Sequence, residues 1–244
     1  MTENYEDFIS TVSHELRTPL TSIRGFADTM LNSWDRLDED SKKKFLGIIK
    51  EQSDRLINMV ENILSVTKLH SQSERIILKD IPVRPTVEKV VQLLKTQYKD
   101  KNFIVDEKIN TPNILADEDK FQQAIMNIIE NACKYSNNND IWINIGFGED
   151  ENFVAINVTN LGLGIDERDY EKIFTKFSRI DNPLTRKVQG SGLGLYITKN
   201  ILEKMGGTIC VKSENIDANL SKITFTIDIP SSDIEKQARA KCIQ

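Results

Sequence analysis

One segment of the sequence, SHELRTPL at positions 13–20, places an imidazole, a carboxylate and a hydroxyl close together. His14 stands two residues from apolar positions on either side, and two residues correspond to about 200° of helical rotation, so its side chain projects away from the apolar face. A neutral imidazole is a good nucleophile near neutral pH. The adjacent Glu15 can accept its second proton, and the hydroxyl of Thr18, one helical turn further on, can hold a water molecule.

A single exposed histidine is usually a solvated surface residue, and His70, the other histidine of the chain, is interpreted in that way. The neighbouring carboxylate and hydroxyl distinguish His14 from His70. The spacing therefore makes His14 the candidate nucleophile, with Glu15 and Thr18 as its candidate partners.

A second group of polar side chains lies in the segment FQQAIMNIIENACKYS at positions 121–136. Asn127, Asn131 and Lys134 are spaced i, i+4 and i+7, which places two amides and an ammonium on one helix face. A polar outer face is common on any helix, but here the opposite face is strongly apolar, so the amides line an edge beside a packed surface. Amide oxygens are ligands that suit Mg²⁺. Tyr135 follows directly.

Glycines occur in two short segments that could approach a ligand closely. The first is VTNLGLGID at 158–166, in which Asn160 precedes Gly162 and Gly164. The second is GSGLGL at 190–195, and a helix is predicted to begin at about Leu193. Backbone N–H groups at the start of a helix attract phosphate, although glycine-rich loops are common and the signal is weak by itself. The candidate residues of the second segment are Gly190, Gly192, Leu193 and Gly194.

Two helices are predicted to carry the histidine. Residues 6–31 have an apolar stripe, interrupted by Pro19, which should kink the helix locally. Residues 40–70 follow a connection at 32–41 and show a heptad seam with one polar member. The seam positions are Phe45, Ile49, Gln52, Leu56, Met59, Ile63 and Val66. One hairpin cannot cover its own apolar stripes, so residues 1–70 are predicted to form a four-helix bundle in a homodimer.

The pattern changes after residue 75 and becomes a mixture of strands and helices. Strands are predicted at 75–83, 102–109, 141–147, 153–160, 207–213 and 222–230, and helices at 84–100, 116–136, 166–173 and 193–205. The strands at 141–147 and 153–160 are expected to form a hairpin. This order predicts an α+β sandwich, one sheet with helices on one face. The expected domains are 1–72, 73–231 and a polar tail at 232–244.

Composition excludes several classes of protein. The 244 residues carry a formal net charge of −5, which argues against nucleic acid as the main partner. No apolar run is long enough for a membrane span, and the acidic N-terminus is not a signal peptide. Three cysteines without a CxxC pair favour reduced thiols in a cytosolic compartment over a disulfide framework or zinc site.

The segment SHELRTPL resembles the phospho-acceptor box of the sensor histidine kinases of two-component systems. The resemblance implies that His14 receives the γ-phosphoryl of ATP and passes it to an aspartate of a response regulator. It implies that Glu15 assists removal of the proton. Thr18 matches the position that orients water when such kinases act as phosphatases on the phosphorylated regulator.

The second half of the chain, from 76 to 230, resembles the Bergerat-type ATP-binding domain of the same family, a fold shared with type II topoisomerases. By this resemblance Asn127 and Asn131 hold Mg²⁺ and phosphates, Lys134 contacts phosphate, and Tyr135 lies near the nucleotide. IFTKFSRID at 173–181 resembles the F box, with Phe174 and Phe177 as anchors. Arg179 matches a position that reaches the γ-phosphate, and residues 178–190 match the lid over ATP. The P-loop and protein-kinase motifs are absent from the sequence.

The first glycine box departs from the family pattern, which reads Asp-x-Gly-x-Gly. Here Asn160 occupies the position of the aspartate, which in the family accepts a hydrogen bond from the adenine amino group. A hydrogen bond to a charged group is worth about 1.5–3 kcal/mol and a neutral one about 0.5–1.5 kcal/mol. The change should therefore weaken binding roughly five- to thirtyfold. Asp166 looks like the N-cap of the next helix and does not replace it.

Asn160 leaves three interpretations open: a working kinase with weaker ATP binding, an impaired kinase that acts as a phosphatase or signals by conformation, and an altered choice of base, ranked third. The main hypothesis is a dimeric histidine autokinase core, expected to be the cytoplasmic part of a longer membrane receptor. The competing hypothesis is a nucleotide-impaired pseudokinase or dimeric scaffold. A nucleic-acid-remodelling ATPase of this fold is disfavoured by the acidic charge and by the surroundings of His14.

Overall fold

The N-terminal part of the chain is a hairpin of two long helices. The computed structural model describes residues 3–70, 75–178, 190–217 and 220–233, and the chain divides into two compact units, Met1–Lys68 and Leu69–Gln244. Helix α1 spans Glu3–Ser33 and continues through Pro19, a 3₁₀ turn spans Trp34–Arg36, and helix α2 spans Glu39–His70. Both predicted helices are confirmed.

The predicted seam of α2 faces α1. Met59 and Val66 are almost fully buried, the other five seam positions are half-buried, and the rings of Phe26 and Phe45 lie with centroids 5.2 Å apart. Asp38 precedes α2, and its carboxylate accepts a hydrogen bond of 2.6 Å from the Ser41 backbone N–H. That bond lowers the pKa of Asp38 and satisfies one of the unpaired donors at the helix start.

The second unit is built on a mixed sheet of five strands in the order β2-β4-β5-β7-β6. Its β2–β4 pair is parallel, and the other three pairs are antiparallel. A separate antiparallel pair joins β1 to β3. The strands are β1 Lys79–Ile81, β2 Asn102–Glu107, β3 Ile114–Ala116, β4 Ser136–Phe147, β5 Phe153–Gly162, β6 Thr208–Asp217 and β7 Leu220–Pro230. The helices are α3 Val83–Gln97, α4 Glu118–Tyr135 and α5 Gly194–Lys204.

The core of this unit lies between one face of the sheet and the helices. On β4 the alternate residues Ile141, Ile143 and Ile145 are buried, as expected when one face of a strand is covered. Strand β5, in the middle of the sheet, also buries Ala155 and Thr159 on its other face. Helices α4 and α5 contribute buried apolar side chains, so the predicted α+β sandwich is confirmed. The buried set includes Ile141, Ile143 and Ile145 of β4, Val154, Ile156 and Val158 of β5, Ile125, Ile128 and Ile129 of α4, and Ile197 and Ile201 of α5.

The helix predicted at 166–173 is wrong. The structure has two 3₁₀ turns there, Glu167–Asp169 and Lys172–Phe174, held by bonds from a residue to the third residue before it. Asp166 caps the first turn, and its side chain accepts a hydrogen bond from the Arg168 N–H. Ile173 and Phe174 are buried, but the charged residues before them have no apolar face that would reward a longer helix.

Strand boundaries also differ from the prediction. The strand expected at 75–83 is only three residues long, because Pro82 cannot donate to a ladder, and its partner β3 was not predicted. Strand β4 begins at Ser136, directly after α4, with an irregular register before Ile141. Pairing with β5 places this polar stretch in the sheet without apolar alternation. None of the described helices is apolar enough over a sufficient length to cross a bilayer.

Candidate functional site

His14 lies on the exposed side of α1, as its spacing from the apolar stripe predicts. Thr18 is also exposed, and its hydroxyl donates to the His14 carbonyl oxygen at 3.4 Å, so the two residues are neighbours along one face of the helix. Their functional groups both face solvent. The arrangement leaves the imidazole open to an approaching phosphoryl group and the hydroxyl open to water.

Glu15 turns towards the second helix, where it meets a residue that sequence reasoning missed. The Glu15 carboxylate lies 3.6 Å from the guanidinium of Arg55, and the two side chains are 34% and 22% exposed. Arg55 therefore holds a carboxylate beside the candidate nucleophile. A signal was available in the sequence, because Gln52, one turn before Arg55, is the polar member of the seam and marks where apolar packing is interrupted.

The amides of α4 lie at the edge of the packed face, as predicted. The side-chain nitrogen of Asn127 donates to the Gly194 carbonyl and to the Thr198 hydroxyl, both at 3.3 Å. These bonds join α4 to the start of α5 and leave the amide oxygen as the acceptor end of the group. Asn131, one turn further along α4, is half-buried on the same face. The two amide oxygens fit a hard divalent cation that keeps water and phosphate ligands.

Lys134 forms an ion pair instead of presenting a free ammonium. Its Nζ lies 2.9 Å from the Glu130 carboxylate, which also accepts a hydrogen bond from the Tyr98 hydroxyl at 3.4 Å. Burial and the nearby carboxylate raise the pKa of Tyr98, so the phenol stays protonated as a donor. Sequence reasoning missed Glu130, which stands four residues before Lys134 in the typical ion-pair spacing. Tyr135 is exposed at the end of α4.

Two glycines are required by their surroundings. A Cβ on Gly162 would collide with the Tyr135 carbonyl oxygen and would lie 3.2 Å from the Asn160 amide nitrogen. Gly192 has a φ of +67°, in the left-handed region that favours glycine, and a Cβ there would lie 2.8 Å from the Phe177 backbone. The main chain at Gly162 therefore lies against the C-terminal end of α4, and the main chain at Gly192 lies against the F-box segment.

At the other candidate glycines, Gly164, Gly190 and Gly194, an added Cβ would not meet the backbone of another described segment. A Cβ on Gly164 would meet the Ser221 hydroxyl at 2.6 Å, which ties that glycine to the packing of β7. No described residue beyond its chain neighbours lies within 4 Å of where a Cβ on Gly190 would stand, and Gly194 is the first residue of α5. Leu193 is buried and, among the described residues, makes no side-chain cap for α5. The Leu193 N–H donates to the Ser191 hydroxyl at 3.3 Å, and the N–H groups of the first turn of α5 that follow it can meet an anion.

Asn160 is buried within the sheet, at 2% exposure. The strand register places it directly between Ile141 of β4 and Ile223 of β7, on the face that packs against the helices. Neither neighbour can accept a hydrogen bond, and within the described residues the Asn160 amide nitrogen has no partner. A buried donor without a partner costs about 1–3 kcal/mol.

Only two buried side-chain nitrogen or oxygen atoms lack a partner within the described ranges, and each belongs to one candidate centre. They are Arg55 Nε, beside Glu15, and Asn160 Nδ2, beside Gly162. Native proteins pair nearly all such atoms, so an exception calls for a physical explanation such as a ligand, a water or a role in reaction.

The expected site extends beyond the described residues. Arg179 and residues 179–189 of the expected lid lie outside the described residues. Of the F-box anchors, Phe174 is buried with its ring edge-on to Phe225 at 6.4 Å between centroids, and Phe177 is half-buried with a φ of 59°.

Known families match both units of the chain. Residues 5–72 match the His Kinase A (phospho-acceptor) domain, and residues 116–232 match the histidine kinase-, DNA gyrase B- and HSP90-like ATPase family. The chain is 31% identical over 230 residues to the sensor histidine kinase WalK of Bacillus subtilis, an alignment that covers 93% of this chain and 37% of the relative.

Two further proteins show similar coverage of this chain. A sensor protein kinase WalK of Staphylococcus aureus is 34% identical over 209 residues, which cover 85% of this chain and 50% of the relative. The crystal structure of histidine kinase ThkA in complex with the response regulator protein TrrA is similar with a TM-score of 0.71 and 26% identity, covering 93% of this chain and 61% of that one. The chain spans half or less of the length of these curated relatives.

Proposed function

Since the chain belongs to the sensor histidine kinases of two-component systems, we propose that it is a histidine autokinase core that transfers the γ-phosphoryl of ATP to His14. The observation that carries this proposal is the exposed imidazole beside a carboxylate that Arg55 holds in place. A response-regulator aspartate then takes the phosphoryl group from His14.

The residues of the hairpin account for the proton movements of the first step. An unprotonated ring nitrogen of His14 attacks the γ-phosphorus, and the bond from that phosphorus to the departing ADP oxygen breaks. The proton on the other ring nitrogen passes to the Glu15 carboxylate, acting as general base. Arg55 of α2 lies 3.6 Å from that carboxylate and orients it.

In the second unit we assign nucleotide contacts to residues of α4, of the end of β5 and of the start of α5. The oxygens of Asn127 and Asn131 hold Mg²⁺, which neutralises phosphate charge when bound. The α5 N-terminus, with Gly190, Gly192, Leu193 and Gly194, binds phosphate oxygens. Lys134 exchanges its Glu130 partner for phosphate, and Arg179 reaches the γ-phosphate. The base lies beside Tyr135, Asn160, Gly162 and Gly164.

Unsatisfied apolar surface on the hairpin supports a homodimer through residues 1–70. Ile9, Leu20 and Leu31 are exposed and spaced eleven residues apart, which is three helical turns, so they share one face of α1. Ile57, Val60 and Leu64 form a corresponding exposed row on α2. Two copies that bury these rows against each other make a four-helix bundle.

The complex of ThkA with TrrA supports a response-regulator receiver domain as the partner of this chain. We assign Thr18 to the opposing phosphatase reaction, in which its hydroxyl orients water that hydrolyses the phosphorylated regulator and releases inorganic phosphate. We propose that a domain at 1–72 carries the phospho-acceptor histidine and a domain at 73–231 carries the ATP site, followed by a tail at 232–244.

The reaction is assigned to the cytoplasm, where ATP is available. Burial raises the pKa of the Cys133 thiol to about 12, so that thiol stays protonated there.

The unpaired nitrogen of Asn160 favours a second candidate, a nucleotide-impaired dimeric scaffold or phosphatase-biased protein. Calorimetry with ADP separates the two. A folded chain that binds no ADP but gains binding on Asn160→Asp supports the scaffold and assigns the defect to this amide.

The kinase proposal is tested by incubation with γ-labelled ATP and Mg²⁺. The parent chain should acquire acid-labile label, and His14→Gln should acquire none. His70→Gln is the matched control, since it removes the only other histidine of the chain by the same substitution and should label normally. Equal labelling of His14→Gln and the parent would remove His14 from the mechanism.

A further inference from the structure

The surroundings of Asn160 leave its amide nitrogen without an acceptor among the described residues. On the sheet, its cross-strand neighbours Ile141 and Ile223 are apolar and buried. Along the strand, Gly162 has no side chain, and a Cβ there would stand 3.2 Å from the Asn160 nitrogen. The glycine lets the Tyr135 carbonyl at the end of α4 approach the strand, beside a donor that has no acceptor within the described residues.

We propose that Asn160 makes the nucleotide pocket accept 6-oxopurine nucleotides alongside adenine nucleotides. This inference rests on the proposed nucleotide site and concerns its choice of base. The orphaned amide nitrogen donates to a carbonyl oxygen at position 6 of the ring, which pairs the buried donor. The oxygen of the same amide accepts from an adenine amino group when the amide is rotated.

A carboxylate at this position would behave differently. Ionised carboxylates are acceptors only, so a carboxylate facing position 6 pairs with an amino group and opposes a carbonyl oxygen. A site built to bond one polar group rejects an analogue that leaves its own groups unpaired. An amide presents both a donor and an acceptor, so the discrimination between the two ring types falls.

The test measures the affinities of the 244-residue chain for ADP and for inosine 5′-diphosphate by calorimetry with Mg²⁺. Inosine is chosen because its ring differs from adenine at position 6 and the adjoining nitrogen, without the extra amino group of guanine. The parent should bind the two diphosphates within about tenfold of each other. In Asn160→Asp, the preference for ADP should rise at least tenfold, within the range of discrimination that one good base contact provides, roughly 5- to 150-fold.

Asn157→Asp is the matched control, because it makes the same change of amide to carboxylate on the same strand. Asn157 points to the opposite face of the sheet, where its oxygen accepts a 2.7 Å hydrogen bond from Thr226 that a carboxylate would also accept. Its ratio of affinities should equal that of the parent.

The outcomes are distinct. If the parent binds ADP more than about a hundredfold tighter than the inosine nucleotide, the inference is overturned even when Asn160→Asp fails to fold. The same ADP preference in the parent and in Asn160→Asp also overturns it. If neither variant binds either diphosphate, the proposed nucleotide site itself is wrong, and this inference with it.

Discussion

The two units of the molecule differ in how completely they bury their own apolar residues. In the helical hairpin, Met30, Met59 and Val66 are the only buried apolar side chains other than prolines among the described residues, whereas eight large apolar side chains are exposed. The second unit also exposes eight large apolar side chains, but it buries 35 apolar side chains within the described residues, in a continuous core. The exposed side chains of the hairpin are Ile9, Leu20, Leu31, Trp34, Leu46, Ile57, Val60 and Leu64. The hairpin thus needs a partner surface, and the sheet unit supplies its own.

Their candidate centres differ in the same way. His14 and Thr18 are exposed, whereas Asn160 is buried. Each centre nevertheless has one buried nitrogen without a partner within the described chain, Arg55 Nε in the hairpin and Asn160 Nδ2 in the sheet. A ligand of the hairpin centre would meet exposed side chains, whereas a ligand of the sheet centre would have to reach a buried position on β5.

The largest expected effect concerns the self-sufficient core. Ile128→Ala on α4 removes a side chain with no exposure and should lower the free energy of unfolding of the sheet unit by about 2–5 kcal/mol. Ile104→Ala on β2, where the side chain is 38% exposed, is the control and should cost less than half as much. Urea denaturation followed by circular dichroism measures both. Equal losses would contradict the division between core and surface.

The next effect concerns the incomplete surface of the hairpin. Ile57→Glu should weaken dimerisation roughly ten- to a hundredfold, because full burial of such a side chain contributes about 1.5–3 kcal/mol. Asn58→Glu adds the same charge at the neighbouring exposed position and should change the dimer far less. Sedimentation equilibrium gives the dissociation constants. A monomeric parent, or equal weakening by both variants, would contradict the four-helix bundle.

The smallest effect concerns Arg55. Arg55→Met removes the ion pair with Glu15 and should slow labelling of His14 by up to about fivefold, since partly exposed pairs are worth about 0.2–1 kcal/mol. The hairpin should lose no stability, because the unpaired buried Nε is removed together with the charge.

Arg24→Met is the control for that measurement, since it breaks the exposed pair with Asp28 on the same hairpin. Initial rates of labelling and thermal unfolding are compared for the two variants. If Arg55→Met labels as fast as Arg24→Met, Arg55 does not position Glu15.

Sequence reasoning predicted the features that depend on periodicity. The heptad seam of α2, the outward position of His14 and the amide edge of α4 all follow from residue spacing along a helix, and the structure has each of them. Asp117 is the N-cap of α4, and its side chain accepts a hydrogen bond from the Lys120 N–H at 3.2 Å. Local geometry determines these features.

Features that depend on distant residues were not predictable in this way. The Glu15–Arg55 pair joins two helices, β3 forms only because β1 pairs with it, and Ser136 enters the sheet through pairing with Gly162. The missing partner of Asn160 is a property of its cross-strand neighbours, which alternation along one strand does not reveal. The roles of the site residues remain predictions that the measurements above address.

The most direct test of the account is to locate the phosphoryl group after incubation with ATP. Trypsin places the two histidines in separate peptides, residues 1–17 and 69–75, because it cuts after Arg17, Lys68 and Arg75. Mass spectrometry at neutral pH, which preserves phosphohistidine, should find the phosphoryl group on peptide 1–17 at His14. A phosphoryl group on peptide 69–75, or none on either peptide in a chain that binds ADP, would contradict the claim that the hairpin supplies the nucleophile for the sheet unit.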